Sequence, residues 1–312
     1  MSAPAGVTDG APDSVTVRAA AKINLHLGVG TARADGFHPL ATVYQAIGMY
    51  DDVTVTDAPA WSLTISAHER IDVAEVPGDD TNTALRAGRL LTEHHGLDRA
   101  AAIAVDKGIP VAGGLAGGSA DGAATLLALD RLWDLQTPDV DLLRLAAHLG
   151  SDVPFALVGG TATGAGRGEL VQRLTDNGSW WWVVAESEVG LPTPFVYAEF
   201  DRLGGGDVEP SHPQPLLDAL AGGDPDALAG CLANDLAGPA LSLRPDLARV
   251  LADGADAGAL TGLVSGSGPT CLFLCRDAGH ATGVRIAMNA LGHTRVSAAA
   301  GPVAGAHVVE YS

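Results

Sequence analysis

Lysine is almost absent from this chain. Lys22 and Lys107 are the only two among 18 basic residues; the other 16 are arginine. Where arginine is used nearly everywhere, a retained lysine suits a narrow site, because a compact ammonium can stabilise a single oxygen anion. Positive charge as a whole is scarce: 18 basic residues face 37 acidic ones, for a formal net charge of −19. Such a surface repels nucleic acid and anionic membranes, which leaves small molecules as the expected partners. Cysteine is limited to Cys231, Cys271 and Cys275. An odd count, no C-x-x-C pair and no metal-type spacing fit reduced thiols in the cytoplasm. The stretch MSAPAGVTDGAPDS lacks the basic and apolar regions of a signal peptide and reads as a short frayed tail. The longest uncharged run, 258–275, contains Gly266, Gly268 and Pro269 and reads as strand, loop and strand rather than as a membrane span. Aromatic residues make up only 4%. With abundant alanine and glycine, that composition fits an α/β or α+β protein.

A chain of 312 residues is more natural as two domains than as one. Over residues 14–28, Val15, Val17, Ala19, Ala21, Ile23, Leu25 and Leu27 share one face, and Thr16, Arg18, Lys22, Asn24 and His26 the other. Ala20 is the exception. Period two predicts strands with one buried face and sets Lys22 and Asn24 side by side, about 7 Å apart. A solvated sheet face would give the same pattern. Short strands are predicted near 53–56, 61–66 and 101–105, with a helix capped within 80–82 and running to His94. The uncharged stretch 122–129, with Leu126, Leu129 and Trp133 on one stripe, predicts a mostly buried helix. Thr137 as cap and Pro138 in the first turn predict another, ending near Gly150, and Ser151 and Asp152 open a short third. Further on, 161–174 and 180–187 read as strands. Helices are predicted at 213–220, 226–236, 245–252 and 278–291, and strands at 294–298 and 307–311. The tryptophans at 180–182 read as anchors of the second domain. His94, His95 and His148 read as exposed helix residues without chemistry. The division falls near 164–168, giving domains 14–166 and 167–312.

Four glycines crowd into 113–118, just before the buried helix. A helix start presents unpaired N–H groups and a positive dipole end, and so binds anions. Glycines there let the backbone approach phosphate oxygens closely. Ser119 can cap the helix or offer its hydroxyl to a phosphate or a metal. The stretch reads as a polyphosphate cradle; a glycine turn that lets two backbones pack is the alternative. Neither G-x-x-x-x-G-K-[ST] nor G-x-G-x-x-G is matched, so it is not a P-loop or a dinucleotide fingerprint. Asp152, read alone, is a first-turn aspartate favoured by the helix dipole.

The pattern P-x-x-x-G-L-x-G-G-S at 110–119 resembles the phosphate loop of the GHMP kinase superfamily. AAAKINLHL at 19–27, RADGFHPL at 33–40, LGSDVPFALVGG at 149–160 and LPTPFVY at 191–197 look like the branch that phosphorylates 4-diphosphocytidyl-2-C-methyl-D-erythritol. The resemblance runs from about Val15 to the end. It implies an α+β, two-domain GHMP kinase fold, with an N-terminal ribosomal-S5-like domain, a C-terminal ferredoxin-like domain and a deep cleft between them. It implies phosphoryl transfer from ATP, with Mg2+, to the 2-hydroxyl of that acceptor in the non-mevalonate isoprenoid route, by a monomer or weak homodimer. Lys22 and Asp152 match the catalytic pair, with Asn24 beside Lys22 at the transferring phosphate or acceptor. Phe37 and His38 match the positions that grip cytosine, Tyr197 the second aromatic, and Thr193 lies nearby. Asn82 and Lys107 match positions near adenosine. Pro110, Val111, Ala112, Gly113, Gly114, Leu115, Ala116, Gly117, Gly118, Ser119 and Ala120 match the triphosphate loop. Gly266 and Gly268 match the third superfamily motif.

There are departures. The family loop commonly reads G-L-G-G-G-S-S-N-A, and here Ala116, Ala120 and Asp121 intervene. Only Ser119 keeps a hydroxyl for phosphate or magnesium. Asp121 brings a negative charge near a polyphosphate, which is unfavourable unless it points away or meets the metal. Phe37 stands in place of the usual tyrosine, keeping the ring and losing the hydroxyl. Two alternatives compete with this reading: a superfamily kinase acting on homoserine or a mevalonate derivative, and a nucleotide-binding relative without turnover.

Overall fold

The structure is a computed structural model and describes residues 12–68, 71–74, 76–111, 113–206 and 209–312. Most of the expected N-terminal tail, and Ala112 of the glycine loop, lie outside the described residues. Two long strands, β1 (Ser14–Val29) and β2 (Leu40–Ala58), run antiparallel from Ser14 opposite Thr56 to Val29 opposite Leu40. Their register shifts between Ala20 and Ala21 and again between Asn24 and His26. Such bulges bend and twist a strand pair. β3 (Ser62–Ala67), α1 (Thr83–His95), β4 (Ala100–Lys107), α2 (Gly117–Leu132), α3 (Asp139–Leu149) and α4 (Val153–Val158) follow. The hairpin β5 (Thr161–Ala165) and β6 (Leu170–Arg173) comes next, then β7 (Trp180–Ala185), α5 (Thr193–Arg202), α6 (Gln214–Gly222), α7 (Pro225–Ala229), β8 (Ala233–Asn234), α8 (Ala237–Leu243) and α9 (Asp246–Asp256). The chain ends with β9 (Thr261–Val264), β10 (Cys271–Cys275), α10 (Ala278–Ala290), β11 (Val296–Gly301) and β12 (His307–Tyr311).

One sheet runs β12-β1-β2-β4-β3, with β5 and β6 continuing from β2 and β8 lying beside β1. The other runs β11-β7-β10-β9, all antiparallel. Its elements follow the β-α-β-β-α-β succession of a ferredoxin-like unit. The expected α+β architecture with a ferredoxin-like second half is therefore what the chain forms. The two sheets share a core: Ile23, Leu126 and Leu129 belong to the same buried cluster as Trp180, Trp182 and Leu272.

Several elements differ from the sequence reading. β1 has one buried face only up to Ala19; every residue from there to Val29 is buried. Helix α2 packs on β1, and the glycine segment 265–268 and β8 approach it as well, so the polar face of Lys22, Asn24 and His26 is not solvated. β2 is a single 19-residue strand because β1 pairs along its whole length while β4 and β5 divide its other edge. Pro138, not Thr137, holds the cap position of α3. The predicted helix 226–236 stops at Ala229, before Gly230, and Ala233–Asn234 instead pair in parallel with His26 and Leu27. Helices α5 and α8 were not predicted. The expected division at residue 166 falls in the turn of the β5–β6 hairpin, both of whose strands belong to the first sheet.

Candidate active site

Between the two halves lies a cleft of about 1200 Å³. At its floor β1 presents Lys22 and Asn24, 8% and 2% exposed. The Lys22 ammonium donates to Asn24 Oδ1 at 2.8 Å and stands 3.5 Å from Asp152 Oδ2. Asn24 Nδ2 donates to Thr42 Oγ1 at 2.7 Å, and Thr42 donates in turn to the His26 carbonyl at 2.7 Å. That chain of bonds fixes the amide so that its oxygen faces the lysine. Asp152 stands just before α4, but its side chain makes no capping bond there. Its Oδ1 accepts from the Tyr44 hydroxyl at 3.0 Å. Tyr44 comes from β2 opposite Asn24 and stacks on Phe155, centroids 4.8 Å apart. The dipole reading of Asp152 is thus not what orients it; Lys22 and Tyr44 do.

The glycine loop is tied directly to this centre, because the Lys22 N–H donates to the Leu115 carbonyl at 3.1 Å. Leu115 and Ala120 bury their side chains in the core. The amides of Ser119 and Ala120 both close onto the Ala116 carbonyl at 3.0 Å. Gly117 and Gly118, the first residues of α2, line the cleft, and among the described residues their N–H groups have no acceptor. Gly113, Gly114, Ala116, Pro110 and Val111 line it too, whereas the half-buried Ser119 does not. Gly114, at φ +75°, admits no side chain: a Cβ would fall 2.6 Å from the Ser265 carbonyl. Ala116 sits at φ 60°, a left-handed conformation that costs a non-glycine residue about 1–2 kcal/mol. On the facing segment Gly266, at φ +55°, leaves only 3.3 Å between an added Cβ and both Lys22 Nζ and Asn24 Oδ1. The two glycine segments and the lysine strand therefore interlock, and the space around the ammonium is narrow.

Lys107 lies beneath the loop, 2% exposed. Its ammonium is held by Asp51 at 2.5 Å and Asp121 at 2.8 Å. Asp51 also accepts the amides of Gly108 and Ile109 on its other oxygen, both at 2.8 Å. Burial opposes the charge on Lys107, but Asp121 and Asp51 outweigh it and raise its pKa. Asp121 thus joins a buried ion cluster with Lys107 while still lining the cleft. Asn82 spends both ends of its amide on local structure: it caps α1 by accepting from Ala84 N at 2.8 Å and donates to the Pro77 carbonyl at 2.7 Å. Both residues still line the cleft.

At the far end His38, 8% exposed, has its Nε2 2.8 Å from Asp201 Oδ1. With Nε2 donating to that carboxylate, Nδ1 is left as an acceptor. The Tyr197 ring lies 5.0 Å from the imidazole, and Phe200 packs edge-on at 5.9 Å. Burial, with the charge of Asp152 adding to it, raises the Tyr197 phenol well above its ordinary value. Phe37 is 49% exposed, with the Arg167 guanidinium 5.0 Å over its ring. Thr193 and Ser267 share a hydrogen bond of 2.8 Å across the cleft wall, and Gly268 lines it beside Ser267. Cys271 and Cys275 lie elsewhere in the core; burial pushes both thiols up to about 12, so neither is a nucleophile.

Comparison with known proteins identifies two matches along the chain: GHMP kinases N terminal domain over residues 82–160 and GHMP kinases C terminal over 216–294. A 4-diphosphocytidyl-2-C-methyl-D-erythritol kinase of Nocardioides sp. is 57% identical over 95% of this chain and 100% of that protein. One of Mycobacterium tuberculosis is 50% identical over 95% of this chain and 93% of its own length. The chain belongs to this GHMP kinase family. A crystal structure of 4-(cytidine 5'-diphospho)-2C-methyl-D-erythritol kinase, 32% identical, superposes with a TM-score of 0.72 over 91% of this kinase and 98% of that chain. A homoserine kinase from Cytophaga hutchinsonii, at 18% identity and a TM-score of 0.73, shares the fold. Like its family, the kinase uses ATP.

The sequence reading missed Tyr44, Thr42, Asp201 and Arg167 in this kinase. Tyr44 and Thr42 could be found only from the β1–β2 register, and a lone aspartate or arginine carries no local signal.

Proposed function

We propose that this kinase transfers the γ-phosphoryl group of ATP to the 2-hydroxyl of 4-diphosphocytidyl-2-C-methyl-D-erythritol. The observation that carries the mechanism is the single cluster of Lys22, Asn24, Tyr44 and Asp152 facing the glycine loop. Asp152 accepts the hydroxyl proton while the acceptor oxygen bonds to the γ-phosphorus and the bond to the β-phosphate oxygen breaks, releasing ADP. Lys22, steered by Asn24, stabilises charge on the transferring oxygens. The free amides of Gly117 and Gly118 meet the triphosphate at the positive end of α2. Pro110, Val111 and Asn82 wall the nucleotide. Lys107 supports the loop from below rather than touching adenosine.

Among the described residues no three histidines, cysteines or carboxylates gather into a metal cage. Mg2+ brought in with ATP would be held largely by phosphate oxygens and water, as the ion usually accompanies nucleotides, and would neutralise phosphate charge. Ser119 remains the candidate hydroxyl from the chain, although its side chain stands outside the cleft wall. At the other end Phe37 and Tyr197 flank cytosine and His38 offers Nδ1 to its amino group. Thr193, Gly266 and Gly268 close the acceptor side. The first half, 14–166, supplies the nucleotide site and reacting pair, and the second, 167–312, completes the acceptor site. A monomer or weak homodimer in the cytoplasm fits this reading.

A coupled assay with ATP and this acceptor tests it. Asp152→Asn is expected to lower kcat by about 10²–10⁴, the usual worth of a positioned base, with the KM for ATP within about twofold. No turnover by the unaltered kinase would end the reading.

A further inference from the structure

The acceptor site holds a cation that the motifs do not account for. Lys22 is engaged by Asp152 and Lys107 by two carboxylates. Arg167 also lines the cleft, from the turn between β5 and β6. That turn is fixed at both ends: the Leu40 amide donates to the Gly166 carbonyl at 2.8 Å, and the Arg167 amide to Glu169 Oε2 at 2.6 Å. The guanidinium itself is loosely held. Its Nε is 3.6 Å from Glu169 Oε1, and among the described residues it donates no hydrogen bond. Its side chain is 33% exposed, so it is directed by the fold rather than trailing in solvent.

Its position within the cleft is informative. On one side its guanidinium lies 5.0 Å over the ring of Phe37, at the base-binding end. On the other, the next residue, Gly168, is so close to the reacting end that an added Cβ would lie 2.3 Å from the Tyr44 hydroxyl, the group that donates to Asp152. The Arg167 guanidinium thus stands over the aromatic clamp and lines the cleft, while the backbone just after it packs against the Tyr44 hydroxyl. An acceptor with its base at Phe37 and its reacting hydroxyl at Asp152 has only one anionic part between them, its diphosphate. A planar guanidinium with unpaired donors matches phosphate oxygens in forked geometry. Stacking on Phe37 removes part of its freedom before binding, which lowers the ordering cost.

We infer that Arg167 is the residue that grips the diphosphate of the acceptor and sets the preference for a nucleoside diphosphate over a nucleoside. This rests on the acceptor assigned under Proposed function. Arg167→Ala is expected to raise the acceptor KM at least tenfold, leave kcat within threefold and leave the KM for ATP unchanged. Arg167→Lys, which keeps charge without the fork, is expected to fall between. Competition by cytidine, CMP and CDP separates charge recognition from loss of a wall. The unaltered kinase is expected to bind CDP much more tightly than cytidine, and the alanine variant to lose most of that difference. Equal weakening toward all three competitors, or an unchanged acceptor KM, would overturn the inference while leaving the kinase reading intact. Failure of the unaltered kinase to phosphorylate the acceptor would remove both. A thermal melt of each variant confirms that the turn still folds.

Discussion

A carboxylate that is to act as a base at neutral pH must be held in place without being neutralised, and Tyr44 is the residue that does this for Asp152. Burial, then the charge of Asp152 itself, raises the Tyr44 phenol well above its ordinary value. It therefore remains a neutral donor across the working pH range and always offers its proton to Asp152 Oδ1. The opposite oxygen sees Lys22 at 3.5 Å, an incomplete ion pair. Removing the phenol would free Asp152 to close onto the ammonium. A hydrogen bond to a charged group is worth about 1.5–3 kcal/mol, and part of that is recovered by the closer ion pair. Tyr44→Phe is accordingly expected to lower kcat about tenfold, with both KM values within threefold. Steady-state rates at saturating ATP and acceptor check this, and an unchanged kcat would mean the bond serves stability alone. The retention of a lysine at position 22 also has its physical reason at this scale. The Lys22 ammonium lies 3.3 Å from where a Cβ on Gly266 would stand, space that a guanidinium would overfill.

Helix α2 carries both the proposed anion-binding end of the site and a buried acid that the loop comparison singled out as unfavourable. Burial pushes the Asp121 carboxyl up to about 8, with Lys107 opposing the shift. Asp51 receives two backbone amides besides the ammonium. Asp121 has one oxygen, Oδ1, without a partner among the described residues. Because its proton is held more tightly in the folded chain than in the unfolded one, stability falls as pH rises between the ordinary carboxylate range and about 8, and is flat above. Asp121→Asn imitates the protonated acid and does not titrate. Melting curves at pH 5, 7 and 9 are expected to show the variant gaining on the unaltered kinase from 5 to 9. A constant difference would show that Asp121 is ionised throughout. The same helix shows what the sequence made readable. Its uncharged run and the glycines before it placed the buried helix and the loop, and period two placed Lys22 beside Asn24. Two outcomes needed the third dimension: that Asp121 turns into an ion cluster with Lys107, and that Tyr44 lies across from Asn24. The first depends on how helix α2 packs over the end of β4 and the second on the pairing of β1 with β2, and local pattern encodes neither. Helix α5, opened by Pro192 and carrying Tyr197, was missed because its short sequence has no side-chain cap to mark it.

At the scale of the whole molecule, the division of labour and the division of the fold do not fall at the same place in the chain. Residue 166 separates the proposed nucleotide-binding residues from Tyr197, Gly266 and Gly268. Yet the first sheet takes β6, β8 and β12 from beyond it. Strand β12, at residues 307–311, covers the β1 edge opposite β2. Gln45, fully buried on β2, accepts from Trp182 Nε1 at 2.9 Å and donates to Thr161 and Asp176, both at 3.1 Å. It thereby bonds one sheet to the other. Trp180 and Trp182 share a core with β1 and α2, so cutting the chain at 166 would open an apolar face and leave Gln45 without a partner for its buried oxygen. A fragment 1–166 is therefore expected to show no cooperative melt, while the full chain unfolds in one calorimetric transition. Two resolved transitions, or a fragment that melts sharply, would make residues 14–166 a domain in the folding sense as well as the functional one. The physical reason to expect one transition is that the cleft lies between halves that share a core. The reacting centre on β1 then keeps its geometry only while β7 and β10 are in place, so loss of the acceptor half should abolish ATP binding in step with unfolding.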